Sequence, residues 1–240
     1  MSMTLVDPVE SPVWLRPLLE NPDRVEAALN SRRSVRMARK WAVPRNPRLA
    51  SVLVLFAGDP TAEELPPDAD LLLTVRASTL RDHSGQIAFP GGGFEDGDDY
   101  PVGTALREAM EETGLDPAGV RPLMTVDALP TRPGAFTVEP VIAYWEQPSP
   151  VQVMDVAETA LVTRIPLKQL IAPENRFQVS MKMGGATVFT GPAFFVDRLL
   201  VWGFTGGVLD AVIAAAGWEE PWDRDDVRDL KQSLALAVNE

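Results

Sequence analysis

Apolar residues along this chain form short runs that are typical of strands, with a few segments of helical spacing between them. The β-branched and apolar runs predict strands over 51–56, 71–77 and 85–89. Further strands are predicted later in the chain, at 120–129, 137–145, 159–165, 177–181, 186–190 and 193–202. Prolines and acids mark residues 61–70 as a loop, and the glycine-rich stretch 89–99 is predicted to be irregular.

Helical patterns are fewer and do not alternate with the strands. They predict helices over 101–113, 166–172, 206–217 and 225–238, and Asn21 with Pro22 predicts the start of another short helix. Strands that outnumber and do not alternate with helices favour an α+β fold with a mixed sheet. We therefore expect three parts, which are an N-terminal extension (1–47), a core domain (48–217) and a C-terminal helical extension (218–240).

The amino-acid composition excludes several kinds of catalytic and metal-binding site. The 240 residues include 22 Lys and Arg, 34 Asp and Glu, one His and no Cys, which gives a net charge of −12. Without Cys there is no disulfide, thiolate nucleophile or Cys-based zinc site, and a single His excludes an HExxH metal pair. Catalysis would have to depend mainly on carboxylates, or on a metal ion that they hold.

Charge and hydropathy also indicate which partners to expect. An acidic balance argues against general nucleic-acid binding, which needs clustered Lys and Arg. No run approaches the roughly 18 apolar residues of a membrane span, and residues 1–25 lack a signal-peptide pattern. We expect a cytoplasmic protein that binds neither nucleic acid nor membrane. The basic stretch 31–40 is either a solvated segment or a phosphate-binding patch.

The predicted helix over 101–113 carries acids along one side. At about 100° per residue, its apolar residues share an arc of about 140°, which is the predicted core face. These residues are Val102, Ala105, Leu106, Ala109, Met110 and Thr113. Glu108, Glu111 and Glu112 fall in the adjacent arc of about 100°.

Two interpretations of the three glutamates remain open, a solvated acidic face and a cation site. Arg107 stands four residues before Glu111, where it could brace that carboxylate, and a glycine-rich loop precedes the helix. Oxygen ligands alone suit a hard cation such as Mg²⁺ or Mn²⁺. Such a site could hydrolyse a phosphorus centre with metal-held water.

The same segment resembles a known family. Its motif consists of Gly93, five residues, Asp99, seven residues, Arg107-Glu108, two residues and Glu111-Glu112-x-Gly114-Leu115. This pattern is similar to the Nudix box of diphosphate hydrolases. Asp99 stands where the general box usually has Glu, and Ala109 stands where a larger apolar residue is common.

The preceding stretch, residues 71–92, resembles the signature of the coenzyme A diphosphatase branch of that family. The signature reads roughly LLTxRSxxLRxHxGxxxFPGG. Matching residues are Leu72, Leu73, Thr74, Arg76, Leu80, Arg81, His83, Gly85, Phe89, Pro90, Gly91 and Gly92. That branch also tends to carry Asp at position 99, and weaker likeness extends over about residues 50–216.

The resemblance implies a fold, a reaction and a metal. The fold is the Nudix α/β/α sandwich, with a mixed sheet between helices. The reaction is hydrolysis of the diphosphate of coenzyme A, or of acyl-CoA, to 3′,5′-ADP and 4′-phosphopantetheine. Glu108, Glu111 and Glu112 would hold Mg²⁺ or Mn²⁺, with Glu111 and Glu112 counted as catalytic and Arg107 orienting the cluster.

The general base and the substrate contacts are also carried over from the resemblance. A loop segment of the branch aligns with 154–158, which places the base at Glu158, with Asp155 as the alternative. The predicted substrate-binding residues are Arg76, Arg81, His83, Gln86, Gly92, Gly93, Arg32 and Arg33. For His83 the alternative is a structural role, and for Arg76 it is to brace the box loop. Arg32 and Arg33 are the candidates for the adenosine 3′-phosphate.

Two rival functions remain open at this level. One is a Nudix hydrolase with another substrate, such as ADP-ribose, NADH or an oxidised nucleoside triphosphate. The other is a Nudix-fold ligand-binding module without catalysis, which the presence of all three glutamates disfavours. The terminal segments are candidates for a homodimer interface.

Overall fold

The protein chain is described by a computed structural model over residues 2–31, 48–79, 85–131 and 136–237. Its strands are β1 Met3–Thr4, β2 Arg48–Ala57, β3 Asp70–Arg76, β4 Ile87–Ala88, β5 Gly91–Gly93, β6 Val120–Thr125, β7 Leu129–Pro130, β8 Phe136–Trp145, β9 Thr159–Pro166, β10 Arg176–Met183, β11 Ala186–Val196, β12 Leu199–Val201 and β13 Val227–Asp229. Its α-helices are α1 Arg16–Glu20, α2 Pro22–Ser31, α3 Val102–Thr113, α4 Leu167–Ile171, α5 Gly203–Ala216 and α6 Leu230–Leu236. The mixture of helices and strands confirms the α+β fold class.

The first nine strands form one mixed sheet. Its main path runs β1-β6-β8-β2-β3-β4, while β5 pairs with β2, β7 with β8 and β9 with β3. Strands β2 and β8 are parallel over nine residue pairs, from Arg48 beside Phe136 to Phe56 beside Tyr144. The other pairings are antiparallel. This arrangement places the first residues of β2 and β8 at the same edge as the glycine strand β5.

Strands β10 to β13 form a second sheet, in the order β12-β11-β10-β13. The hydrophobic pattern predicted strands at β10, β11 and β12, but not their separation from the first sheet. The pattern also predicted a helix throughout 225–238, which is wrong at its start. Val227–Asp229 pairs in parallel with β10, and the Asp229 side chain accepts the Gln232 N–H at 3.0 Å. That N-cap starts α6 at Leu230.

Helices cover both faces of the large sheet. On one face, Leu53 and Leu55 of β2 pack against Ala105 and Ala109 of α3. On the other face, the core contains side chains of α1, α2 and α5 together with Val54 of β2. The N-terminal segment belongs to this core, because Trp14 is buried against the rings of Phe56, Tyr144 and Trp218.

Candidate active site

Helix α3 lies close to the sheet because its packing face is made of small residues. Ala105, Ala109 and Thr113 are fully buried, as the helical spacing predicts. Gly114 ends the helix with φ 69°, and its N–H donates to the Met110 carbonyl at 2.8 Å. Met110 was predicted to face the core, and this is wrong, since 44% of it is exposed. It lies at the edge of the apolar arc, where α3 turns toward solvent.

Arg107 organises the acidic face of α3. Its Nε and Nη2 donate to the two carboxylate oxygens of Asp98 at 3.0 and 3.1 Å. Its Nη1 donates to Glu111 at 2.9 Å, and Nη2 also reaches Glu108 at 3.1 Å and the Gly93 carbonyl at 2.8 Å. The predicted brace from Arg107 to Glu111 is present. The same guanidinium also ties the helix to the glycine strand.

Asp98 is a member of this network that the sequence did not single out. Besides Arg107, it accepts the Thr104 hydroxyl at 2.9 Å and the Glu95 N–H at 3.1 Å. These bonds, above all the one from Arg107, hold the pKa of Asp98 well below its usual range. The motif drew attention to Asp99 instead, which is exposed.

Glu108 and Glu112 of α3 lie against the glycine strand β5. It was predicted to be irregular, but Gly91, Gly92 and Gly93 pair with Val52, Ser51 and Ala50 of β2. The Gly91 N–H donates to Oε2 of Glu112 at 3.2 Å. A Cβ at Gly92 would lie 2.5 Å from Oε2 of Glu108, so the Glu108 carboxylate occupies the space that any other residue would need there.

Burial shifts the pKa of Glu112. The pKa is raised to about 7, mainly by desolvation and to a smaller extent by the nearby charges of Glu108 and Glu158. The Gly91 N–H and the positive charge of Arg76 act in the opposite direction. Burial also raises the pKa of Glu108, against the lowering effect of Arg107. Glu108 and Glu112 are therefore both partly desolvated, and both lie against strand β5. The positive charge nearby is too small for both carboxylates to ionise easily.

The structure brings Glu158 and Arg76 to the same place. Arg76 ends β3, and the Ala77 N–H that follows it donates to the Glu158 carbonyl at 2.8 Å. Glu158 is exposed, and its negative charge contributes to the raised pKa of Glu112. Asp155, the alternative base, caps the loop instead, because its Oδ1 accepts the Ala157 N–H at 2.8 Å. This placement favours Glu158.

The remaining predicted substrate contacts divide into two groups. Gln86 lies beside the site, where its backbone carbonyl accepts the backbone N–H of Arg76 at 3.0 Å. The Nε of Arg76 is buried without a hydrogen-bond partner among the described residues. The other four predicted contacts lie outside the described residues, and these are Arg32, Arg33, Arg81 and His83.

The chemistry of the donor set fits a hard divalent cation. Glu108 and Glu112 are carboxylates with raised pKa values, and a nearby cation would favour their ionised forms. Glu111 instead pairs with Arg107, and 54% of its side chain is exposed. Within the described residues, no three Asp, Glu or His side chains converge into a ready-made metal cage. A third ligand such as Glu111 would have to leave Arg107 to join the other two.

The raised pKa of Glu112 predicts how stability depends on pH in the metal-free protein. Between pH 4.5 and about 7 the unfolded chain loses this proton while the folded protein keeps it, so stability falls as pH rises through that window. Replacing Glu112 by glutamine (E112Q) removes this cost. We expect E112Q to gain up to about 3 kcal/mol at pH 8 and little at pH 4. Urea unfolding with a chelator at both pH values measures this, and an equal effect at both would contradict it.

Gly92 predicts a second effect, this time on activity. Alanine at this position (G92A) would displace the Glu108 carboxylate, because the new methyl group overlaps it. A displacement of about 1 Å in a catalytic group lowers turnover by up to about 10²-fold. We expect kcat of G92A to fall by about 10- to 100-fold, with a melting temperature close to wild type because a flexible side chain can move aside. Wild-type kcat in folded G92A would show that Glu108 does not need this position.

Comparisons with known proteins identify the family of this chain. The family model described as the NUDIX domain matches residues 46–179. A protein of Cronobacter sakazakii called an uncharacterized Nudix hydrolase, NudL, is 32% identical over 73% of this chain and 86% of its own length. The Escherichia coli protein of the same name is 30% identical over 60% of this chain and 73% of its own. A Nudix hydrolase structure from M. smegmatis, RenU, aligns over 54% of this chain and 81% of its own, with 25% identity and a TM-score of 0.41.

This chain therefore belongs to the Nudix hydrolase family, whose enzymes cleave diphosphate bonds and generally use divalent metal ions. It acts on a nucleoside diphosphate derivative. The match ends at residue 179, so β11, β12 and α5 lie beyond it. None of the helices in the described ranges combines the length and the apolar character that a membrane crossing needs.

Proposed function

We propose that the protein hydrolyses the diphosphate of coenzyme A, or of acyl-CoA, to 3′,5′-ADP and 4′-phosphopantetheine with Mg²⁺ or Mn²⁺. One observation carries this proposal. The described residues of the segment that resembles the coenzyme A branch, 71–79 and 85–92, include neighbours of the carboxylate of Glu112. Its Arg76 lowers the pKa of Glu112, and its Gly91 N–H donates to the same side chain. These two contacts support a substrate diphosphate that binds beside Glu112, near Arg76 and Gly91.

The metal would be held by Glu108 and Glu112, with Glu111 as a further ligand. Bound divalent cations would neutralise charge on the diphosphate oxygens and favour ionisation of the attacking water. Arg107 holds α3 against the glycine strand through its hydrogen bonds to Asp98 and the Gly93 carbonyl. Gly91 holds one oxygen of Glu112 and leaves the other available. These contacts fix the carboxylates before the substrate arrives, which lowers the reorganisation needed during the reaction.

Glu158 is the proposed general base. It is exposed at the end of its loop, so it can take a proton from water and release it to solvent. Its negative charge contributes to the raised pKa of Glu112, which supports a base role close to the proposed metal ligands. Arg76 would contact the diphosphate, together with Gln86 and the backbone of Gly92 and Gly93.

The base assignment predicts the behaviour of Glu158→Gln (E158Q). We expect kcat to fall by about 10²-fold, the lower end of the usual contribution of a general base, because the exposed site admits hydroxide. The loss should shrink as pH rises, since hydroxide replaces the missing base. A pH profile of kcat at saturating metal ion measures both effects.

Asp155→Asn (D155N) is the matched control. Asparagine can accept the Ala157 N–H as Asp155 does, so the loop should keep its shape. We expect D155N to retain kcat within a few fold. Near-normal turnover in E158Q, or a larger loss in D155N, would remove Glu158 from the role of base.

The proposed reaction is tested by product analysis. Coenzyme A, ADP-ribose, NADH and 8-oxo-dGTP are incubated in parallel with the protein and Mg²⁺ or Mn²⁺, and the products are separated by chromatography. The proposal expects 3′,5′-ADP and 4′-phosphopantetheine from coenzyme A, at a higher rate than products from the other three. Faster turnover of another compound would keep the site and discard coenzyme A as the preferred substrate. Binding without turnover of any of the four would favour a non-catalytic module.

A further inference from the structure

A stacked arginine and phenylalanine stand at the edge of the sheet that carries the glycine strand. Arg48 begins β2 and Phe136 begins β8, and the two residues are register partners in the parallel pair. The Arg48 guanidinium carbon lies 4.2 Å from the centre of the Phe136 ring. Arg48 is exposed, and none of the carboxylates in the described ranges pairs with it. The charge of this arginine is therefore available to a ligand.

The stack lies next to the site but on the other face of the glycine strand. Gly93 pairs with Ala50, two residues along β2 from Arg48, which is a separation of about 7 Å. A Cβ at Gly93 would lie 3.8 Å from Cε1 of Phe136, whereas one at Gly92 would meet Glu108. Strand β5 has no side chains, so only a thin backbone separates the Glu108 carboxylate from Phe136. A ligand that binds at Glu108 and Glu112 can extend past this edge to Arg48.

The geometry of the stack is suited to a phosphate. A guanidinium that lies over an aromatic face can keep N–H groups at its own edge free of the ring, where they can bind two oxygens at once. The Phe136 ring also limits the rotamers of Arg48, so less entropy is lost when an anion binds. On a protein with a net charge of −12, such a cation attracts an anionic group to this one edge.

We propose that Arg48, held in place by Phe136, binds the phosphomonoester on the nucleoside end of the substrate. The inference rests on the proposed function, because coenzyme A carries a 3′-phosphate that ADP-ribose and NADH lack. Sequence analysis gave that phosphate to Arg32 and Arg33. The proposal gives this role to Arg48 instead, because Arg48 lies two residues along β2 from the partner of Gly93. Arg48 would then determine specificity without contacting the reacting diphosphate.

Nucleotide binding tests this assignment independently of turnover. The affinities of 3′,5′-ADP and 5′-AMP are measured by calorimetry in the presence of Mg²⁺, for the wild type, Arg48→Met (R48M) and Arg24→Met (R24M). Arg24 is an exposed arginine on α2 and serves as the charge-matched control. We expect the wild type to prefer 3′,5′-ADP by about tenfold or more, from one charged hydrogen-bonded contact. R48M should lose that preference, R24M should keep it, and Arg48→Lys should keep part of it.

Three results would overturn the assignment. They are an unchanged preference in R48M, an equal loss of affinity for both nucleotides, and no preference in the wild type. Failure of the proposed function looks different, because the protein would then bind 3′,5′-ADP through Arg48 without hydrolysing coenzyme A. If coenzyme A is hydrolysed, kcat/KM for coenzyme A relative to dephospho-coenzyme A should fall by about tenfold in R48M, with kcat unchanged.

Discussion

Replacing Glu112 by glutamine (E112Q) is expected to lower kcat for diphosphate hydrolysis by about 10³-fold or more. Glu112 is the most buried of the three glutamates in the motif, and the Gly91 N–H fixes one of its oxygens. Glutamine can still accept that N–H, so the local fold should persist. It cannot supply the negative charge that a divalent cation needs as its ligand. The loss should therefore appear in kcat and in the metal concentration needed for half-maximal rate.

The control for E112Q is Glu174→Gln (E174Q), an exposed glutamate in the turn Pro173–Asn175, away from α3. We expect E174Q to match the wild type in kcat and in metal dependence. E112Q should also be at least as stable as the wild type at pH 8, because burying its charge is costly. If E112Q is inactive but more stable than the wild type, its loss of activity cannot be due to misfolding. Wild-type kcat in E112Q would contradict the assignment of the site.

Neutralising Asp210 is expected to have the largest effect on stability. Arg176 begins β10 and Asp210 lies in α5, and the side chains of both are 1% exposed. Nη2 of Arg176 donates to Oδ1 of Asp210 at 2.5 Å. Replacing Asp210 by asparagine (D210N) leaves the buried guanidinium with Glu219 as its remaining acidic partner, and removing one partner of such a pair costs about 3–5 kcal/mol. Urea unfolding measures this cost as a lower midpoint.

Two variants make the D210N result interpretable. Asp226→Asn breaks an exposed ion pair with Arg228 and should cost less than about 1 kcal/mol. The double variant R176M/D210L removes both charges and should recover most of the loss, since an apolar pair of similar size can replace a buried ion pair. Arg176 also stacks near Phe194 and Trp222, which would favour a flexible apolar side chain there. A D210N cost below 1 kcal/mol would show that the pair contributes little to the fold.

Much of the site followed from residues that are close together in the sequence. The period of α3 predicted Ala105 and Ala109 on the core face, and the spacing of Arg107 and Glu111 predicted their contact. Local spacing works here because a helix converts sequence distance into position by a fixed rotation. It failed at Met110, where the end of the packing surface, and not the helical period, decides exposure.

Contacts between distant segments could not be predicted in this way. The pairing of β5 with β2 depends on residues about 40 positions apart, and the pairing of β13 with β10 on residues about 50 apart. Asp98 was passed over because nothing in DGDD distinguishes the carboxylate that meets Arg107 from its neighbours. The Arg48–Phe136 stack brings together two residues that are about 90 positions apart in the sequence. The order of strands in the sheet creates such sites.

The most direct test of the central proposal is a competition between two substrates in one reaction. Equal concentrations of coenzyme A and ADP-ribose are incubated with the protein and Mn²⁺, and the initial rates of formation of 3′,5′-ADP and AMP are compared. Their ratio equals the ratio of the two kcat/KM values and does not depend on enzyme concentration. The proposal predicts that 3′,5′-ADP forms about tenfold faster or more, as one charged phosphate contact would give. Equal rates, or faster formation of AMP, would contradict the assignment of coenzyme A as the substrate.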